Sequence, residues 1–305
     1  MKKIYRLTPS LKDNLWGGNK LRGYGKITEN EIIAVSWELS FTKGGVAETE
    51  DGIPATEAFP RETWGENCRD FEFFPVLTKF IDAREKLSVQ VHPSDEYALE
   101  NEGEYGKTEM WYVVEAEEGA GLYMGLKDKC TPELFKQKTE DGTVEELLSF
   151  KEVKKGDVFF IPSGTIHAIG SGTLIFEIQQ NSTLTYRLYD YQRRDKSGKL
   201  RELHVDKAMA VANLDVYEPA PSDCENSELI GKCKYFETSK CNLEFTSRAF
   251  LVDNSSFLSI TATDGEGYVE GEKIKKGDTF FCPAGAGEIT VSTDSRISLI
   301  AVRVP

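Results

Sequence analysis

An eleven-residue stretch of this chain occurs twice. Lys154-Lys155-Gly156-Asp157-Val158-Phe159-Phe160-Ile161-Pro162-Ser163-Gly164 returns as Lys275-Lys276-Gly277-Asp278-Thr279-Phe280-Phe281-Cys282-Pro283-Ala284-Gly285, with Lys, Gly, Asp, Phe, Pro and Gly at identical offsets. Each copy reads as a Gly-Asp turn, a buried aromatic strand and a Pro-x-Gly turn that sends the chain back across a barrel. Two related β-barrels are therefore expected. Three residues beyond each copy, Glu288 stands opposite His167, and no histidine follows His204. The second barrel is expected to carry no metal.

The remaining sequence supports a mainly β chain. Short apolar runs such as Val35-Ser36-Trp37-Glu38-Leu39-Ser40, Lys86-Leu87-Ser88-Val89-Gln90-Val91 and Met110-Trp111-Tyr112-Val113-Val114 are broken by Gly, Pro, Asp and Asn, the pattern of a sandwich or barrel. Helical signals are few. Ser94 can cap a turn through Asp95 to Leu99, Thr131 precedes Pro132, and Thr143 with Glu146 spells a capping box before Leu147-Leu148. The latter two predict a small helical insert at about residues 131–150. A further helix is predicted over about Glu202 to Asn213, followed by a linker at Tyr217-Glu218-Pro219-Ala220-Pro221-Ser222-Asp223. The chain divides there, giving 1–219 and 220–305.

Composition narrows the function. With 37 Lys and Arg against 51 Asp and Glu, the net charge of −14 argues against nucleic acid or an anionic membrane surface as a partner. An anionic ligand must then be met by a local cluster of cations. No secretory leader is read at the start, because no apolar stretch follows Lys2-Lys3, and no window approaches the roughly 20 apolar residues of a membrane span. Six cysteines without metal-ligand spacing read as reduced thiols of a cytoplasmic protein.

The chemistry concentrates in three segments. In Leu87-Ser88-Val89-Gln90-Val91-His92-Pro93, alternation places Ser88, Gln90 and His92 on one strand face and the apolar residues on the other. Lys107, Glu109 and Trp111 share a face of the next strand. His167 opens another strand after the Pro162-Ser163-Gly164 turn, and Glu177 lies two residues from Gln179 further on. Imidazoles with a carboxylate and an amide oxygen suit zinc, and manganese, iron or cobalt are compatible as well. His204, which opens a helix away from these groups, reads as structural. Arg187 sits between Tyr186 and Leu188 in an apolar strand, where an unpartnered charge is costly, so it reads as functional. Trp16, beside Gly17-Gly18, is assigned to a pocket and Trp111 to the core.

These residues resemble the short bacterial type I mannose-6-phosphate isomerases of the cupin superfamily. The matching stretches are Trp16-Gly17-Gly18, Ser36-Trp37-Glu38-Leu39-Ser40, Leu87 to Pro93, Gly106-Lys107-Thr108-Glu109-Met110-Trp111-Tyr112, Pro162-Ser163-Gly164-Thr165-Ile166-His167-Ala168 and Thr185-Tyr186-Arg187-Leu188-Tyr189-Asp190-Tyr191, in family order over about the first 215 residues. The resemblance implies two cupin (jelly-roll) domains and one zinc ion per chain, held by Gln90, His92, Glu109 and His167. It also implies interconversion of mannose 6-phosphate and fructose 6-phosphate. Lys107, Glu177 and Arg187 fall on catalytic positions, and Trp16, Ser88 and Lys86 fall in or near the sugar-phosphate pocket.

Such an isomerisation needs a base for the carbon beside the carbonyl and a stabiliser for the enediolate. Glu177 is expected to be that base, with Lys107 as its polar or proton-shuttling partner and Arg187 as a fixed charge near the oxyanion. Lys86, Arg187 and Arg193 are the candidate phosphate cations, with Ser88 donating a hydroxyl. Two other readings compete. A sugar-binding cupin without turnover would leave the catalytic positions unfilled, and an iron oxygenase usually gathers more histidines than the two in this barrel.

Overall fold

The computed structural model describes residues 2–195, 197–217 and 228–305. Its strands are β1 (Tyr5–Thr8), β2 (Ser10–Lys12), β3 (Val35–Leu39), β4 (Glu48–Thr49), β5 (Val76–Ala83), β6 (Val89–Val91), β7 (Glu109–Ala116), β8 (Gly121–Leu126), β9 (Leu148–Glu152), β10 (Val158–Ile161), β11 (His167–Ile169), β12 (Thr173–Gln180) and β13 (Tyr186–Tyr189). After the undescribed segment come β14 (Leu229–Lys232), β15 (Glu237–Glu244), β16 (Ser247–Val252), β17 (Leu258–Val269), β18 (Glu272–Lys275), β19 (Thr279–Cys282), β20 (Gly287–Ser292) and β21 (Arg296–Arg303). They form three antiparallel sheets. One runs β10-β7-β12-β5-β3-β2, one runs β13-β6-β11-β8-β9, and the ten-stranded third has the path β14-β15-β21-β17-β19-β1-β4. The chain is mainly β, as expected.

The six-stranded sheet is covered on both faces. Along β7, Met110, Tyr112 and Val114 enter a core shared with Phe281, Ile300 and Val302 of the ten-stranded sheet and with Phe257 just before β17. Trp111 and Val113 face the other way, toward Leu122, Met124 and Ile169 of the five-stranded sheet. The same period of two puts Phe80, Phe176 and Ile178 into the first core and Ile81 and Ile175 into the second. Every residue of β5 and β12 is therefore buried. Their polar residues Lys79, Glu177 and Gln179 stand on the face turned toward the five-stranded sheet, among apolar neighbours. In that sheet Val89, Val91, Tyr186 and Leu188 pack outward under the helices. Gln90 and Arg187 are thereby left to point inward.

The two copies of the repeat fold alike. Gly156 and Gly277 adopt φ of 94° and 92°, a left-handed conformation that costs glycine nothing. The aspartates at 157 and 278 accept from the backbone N–H of Lys154 and Lys275 at 2.9 and 3.0 Å. The strands β10 and β19 follow, then the Pro-x-Gly turns with Gly164 and Gly285 at φ of 84° and 79°. The sheet order adds a feature absent from the sequence reading. β1, from the N-terminus, pairs with β19 of the second copy, so the first strand lies in the C-terminal sheet. The boundary near residue 219 and the linker beyond Tyr217 lie outside the described residues.

Three helical expectations are amended. Ser94 and Thr131 do cap their helices, Asp95–Asn101 and Pro132–Glu140, through the N–H groups of Tyr97 and Leu134. The Thr143–Glu146 capping box does not form: residues Val144–Leu147 make a 3-10 turn without a side-chain cap, and Glu146 pairs with Lys138 at 2.6 Å instead. The insert closes in β9, which pairs with β8, rather than in more helix. The last helix begins at Val205, not Glu202. The Glu202 carbonyl accepts from Arg187 Nη1 and the His204 N–H donates to the Arg187 carbonyl, so both residues serve β13 rather than a helical turn. No helix among the described residues is long and apolar enough to cross a membrane. Cys68, Cys130, Cys233, Cys241 and Cys282 are free thiols.

A buried ion pair ties the two halves together. Lys26 Nζ lies 2.7 Å from Glu38 Oε1 and donates to the carbonyl of Gly277, in the second copy's turn. Glu38 also accepts from Ser36 at 2.6 Å and from Thr279 at 3.1 Å. Removing one member of a buried pair strands the other charge, at about 3–5 kcal/mol. Urea unfolding of Lys26→Met is expected to show a loss of that size, and Lys26→Met with Glu38→Leu to recover most of it. A loss below about 1 kcal/mol in the single variant would contradict this role.

Candidate metal centre

Between the six- and five-stranded sheets the strand ends deliver a compact polar group. The register sets Gln90 of β6 opposite His167 of β11, and Glu109 opens β7 across the gap. His167 Nε2 is 3.3 Å from Glu109 Oε1 and 3.3 Å from the Gln90 amide nitrogen, while His92 Nε2 is 3.6 Å from Glu109 Oε2. One ligand atom from each of His92, Glu109 and His167 lies within 4.8 Å of the others. All three residues are fully buried.

The histidines are already set as ligands. His92 Nδ1 donates to the Leu184 carbonyl at 2.7 Å and His167 Nδ1 to the Thr165 carbonyl at 2.8 Å. A carbonyl only accepts, so each Nδ1 carries the proton and each Nε2 presents a lone pair to the centre. Burial drives both imidazoles toward the neutral form, His92 well below the usual range and His167 down to about 4, with Lys107 adding repulsion to each. Glu109 is pushed the other way by burial, with Lys107 opposing. Among the described residues neither Glu109 oxygen accepts a well-aligned hydrogen bond, although the Lys107 ammonium lies 2.7 Å from Oε2. Two imidazole lone pairs, an under-satisfied buried carboxylate and an amide are a donor set that a divalent cation satisfies. The residues present fit such an ion.

A row of charges continues from this group. Lys107 also lies 3.7 Å from Glu177 Oε1, and Lys79 lies 2.8 Å from Glu177 Oε2. Trp111 Nε1 donates to Glu177 Oε1 at 3.2 Å, and Lys79 also reaches the Gln179 amide oxygen. Burial would raise the Glu177 carboxyl, but Lys107 and Lys79 outweigh it and hold it well below the usual carboxylate range. Burial lowers the proton affinity of Lys79, whereas Glu109 and Glu177 raise that of Lys107 against its own burial. A cavity of about 190 Å³ opens onto these groups, with Trp16, Ser88, Gln90, Arg187 and Arg201 on its wall.

Residues 226–304 match the family described as mannose-6-phosphate isomerase, cupin domain. The chain is 38% identical over 297 residues to mannose-6-phosphate isomerase ManA of Bacillus subtilis (strain 168), an alignment covering 92% of this chain and 93% of that one. It belongs to the mannose-6-phosphate isomerase family. The crystal structure of the Bacillus subtilis mannose 6-phosphate isomerase superposes with a TM-score of 0.86 at 32% identity, covering 99% of both chains. A more distant mannose 6-phosphate isomerase structure, described as bound with zinc and yttrium, shares the fold at a TM-score of 0.78 and 14% identity over 98% of this chain and 99% of that one.

For this member of the mannose-6-phosphate isomerase family, the sequence-derived candidates divide by position. Gln90, His92, Glu109, His167, Lys107, Glu177, Arg187, Trp16 and Ser88 converge on the cluster or its cavity. Lys86 and Arg193 do not line that cavity. Lys86 is held by Glu145 of the insert at 2.5 Å and by the Tyr123 hydroxyl at 2.8 Å, and Arg193 lies over the Tyr191 ring. His204 accepts the backbone N–H of Arg187 at 3.3 Å, a structural contact. Trp111 is buried core, yet its indole N–H also fixes Glu177.

Lys79 and Arg201 escaped the sequence reading. Lys79 was detectable by the argument applied to Arg187, since it interrupts the apolar run Val76-Leu77-Thr78-Lys79-Phe80-Ile81. Arg201, in an exposed polar segment, gave no such signal.

The Glu177 ion pairs carry a sign that can be checked. A carboxyl held low in the folded state stabilises the fold above its unfolded pKa and loses that contribution as pH falls toward its folded value. The stability gap between the protein and its Glu177→Gln variant is therefore expected to be full at pH 7 and to narrow as pH drops below the ordinary carboxylate range. Urea midpoints at pH 7 and in acid test this, and a gap that widens in acid would contradict it.

Proposed function

We propose that this chain interconverts mannose 6-phosphate and fructose 6-phosphate, with one zinc ion held by Gln90, His92, Glu109 and His167. The observation that carries the reading is the buried His92-Glu109-His167 group beside the Lys79-Glu177-Lys107 row, facing a cavity of sugar-phosphate scale. It is supported by membership of the family and by the zinc named for the distant structural relative. A divalent ion at this position supplies Lewis acidity toward the neighbouring carbonyl and hydroxyl oxygens of the sugar.

The protein's own groups do the rest. In the fructose-to-mannose direction Glu177 takes a proton from C1 and returns it to C2, while the Lys107 ammonium gives a proton to O2 and is reprotonated by the C1 hydroxyl. The two ammoniums keep Glu177 ionised at neutral pH, so it is ready to accept a proton. As they turn toward the developing negative oxygens, their hold on Glu177 weakens and its basicity rises. Arg187, whose Nε is buried without a hydrogen-bond partner among the described residues, adds fixed positive charge. Trp16 and Ser88 shape and hydrogen-bond the sugar phosphate.

The same reading divides the chain into a catalytic cupin domain, residues 1–219 with the insert, and a second cupin, 220–305, that takes no metal. Supporting this, the interior of the second unit is filled by Val252, Ile260, Ile289, Val291, Ile297 and Leu299, and Glu288 is exposed. A cytoplasmic setting accords with the free thiols.

Protein stripped by chelator and restored with zinc is expected to form mannose 6-phosphate from fructose 6-phosphate. Glu177→Gln should cut that rate by about 100-fold or more, the scale of a lost general base, while retaining the metal by elemental analysis. Absence of zinc-dependent product from the parent protein would overturn the enzymatic reading.

A further inference from the structure

Three arginines gather around one buried aspartate at the rim of the cavity. Asp190 is 4% exposed. Arg201 Nη1 lies 3.3 Å from its Oδ2 and 3.4 Å from its Oδ1, and Arg193 Nη1 lies 3.7 Å from its Oδ1. Arg187, three residues earlier, feels the charges of both Asp190 and Arg201. Three guanidiniums against Asp190 and the more distant Glu202 leave a local surplus of positive charge in a chain of net −14. Arg187 Nε and Arg193 Nη1 are buried and donate to nothing among the described residues. Buried donors without acceptors are costly, and their accumulation beside a cavity marks a place for an acceptor-rich anion.

Of the three, only Arg187 and Arg201 line the cavity onto which Gln90, Lys107, Glu177 and Lys79 open. Arg193 lines a neighbouring cavity of about 190 Å³, together with Asp190 and residues Thr139–Gly142 of the insert. Arg201 belongs to both walls. Its Nη1 is engaged by Asp190 and its side chain is about a third exposed. Lys86, the other cation expected to meet phosphate, has its ammonium between Glu145 and Tyr123.

We propose that Arg201 is a phosphate-binding residue of the sugar-phosphate site, and that Asp190 is a positioning residue that fixes its guanidinium there. This rests on the isomerase reading for the identity of the ligand. A planar fork held at one nitrogen by a carboxylate keeps its other donors oriented, so it binds a phosphate with little loss of side-chain freedom. Arg187 and Arg201 then act from the cavity wall. Arg193 supports them from behind, through Asp190.

The test compares Arg201→Ala, Arg201→Lys and Asp190→Asn in the zinc-loaded protein. Arg201→Ala is expected to raise KM for fructose 6-phosphate about 10- to 100-fold, the scale of one charged hydrogen-bonding partner, with kcat changed less than about threefold. Calorimetric affinity for inorganic phosphate should weaken in parallel. Arg201→Lys, which keeps the charge and loses the fork, should fall between alanine and the parent. Asp190→Asn should raise KM and weaken phosphate binding while leaving kcat near the parent value. Unchanged KM and unchanged phosphate affinity in Arg201→Ala would overturn the assignment, as would a loss confined to thermal stability. Should Asp190→Asn not fold, the two Arg201 variants decide alone. Calorimetry needs no turnover, so the two readings fail separately. A parent protein that binds phosphate through Arg201 but forms no product would sink the isomerase reading and keep the anion site.

Discussion

Everything about the site follows from placing ionic groups between two sheets that exclude water from them. Lys79, Glu109 and Glu177 lie on the face of the six-stranded sheet turned toward the five-stranded sheet, with Lys107 just before β7 beside them, all at least nine-tenths buried. Isolated buried charges are prohibitive, so these must be satisfied by one another. With neutral imidazoles, the two lysines and two glutamates sum to zero. The contacts among them, 2.7 to 3.7 Å, form a continuous row from Glu109 through Lys107 and Glu177 to Lys79. In the proposed function, a divalent cation adds two positive charges and a sugar phosphate brings about two negative ones. The balance is then kept when both are bound.

That constraint also explains why the chain builds the site where it does. Period-two alternation sends Met110, Tyr112, Phe80 and Phe176 into the core against the C-terminal sheet, which forces Glu109, Trp111, Lys79 and Glu177 to the opposite face. The second copy of the repeat shows what happens without that demand. It reproduces the glycine turn, the aspartate contact and the strand, yet its interior is apolar and its Glu288 faces solvent. One local scaffold thus supports both a polar interior and a packed one. The N-terminal strand on β19 and the Lys26–Glu38 pair on the second copy's turn make that packed unit a support for the first.

Much of this was legible in the sequence, and for physical reasons. Gln90, His92, Glu109 and His167 announced themselves because polar side chains at alternate positions of apolar strands have few uses. Arg187 stood out for the same reason, and Lys79 would have done. What stayed hidden depends on pairings between distant segments. No pattern along Lys199-Leu200-Arg201 tells that its arginine reaches back to Asp190, or that Lys86 is claimed by Glu145 of the insert. The Thr143–Glu146 capping box misled because a tertiary partner, Lys138, outbid the local backbone for Glu146. The pairing of β1 with β19 spans nearly the whole chain and leaves no trace in local composition.

The proposed function is positional at its centre: it places one ion on these four residues and nowhere else. Anomalous diffraction from crystals of the zinc-loaded protein, recorded on both sides of the zinc edge, tests it directly. A single strong peak per chain in contact with His92 Nε2, His167 Nε2, Glu109 and Gln90 is the expected result. A peak in the second barrel, or none among these residues in protein shown by elemental analysis to contain zinc, would contradict the account.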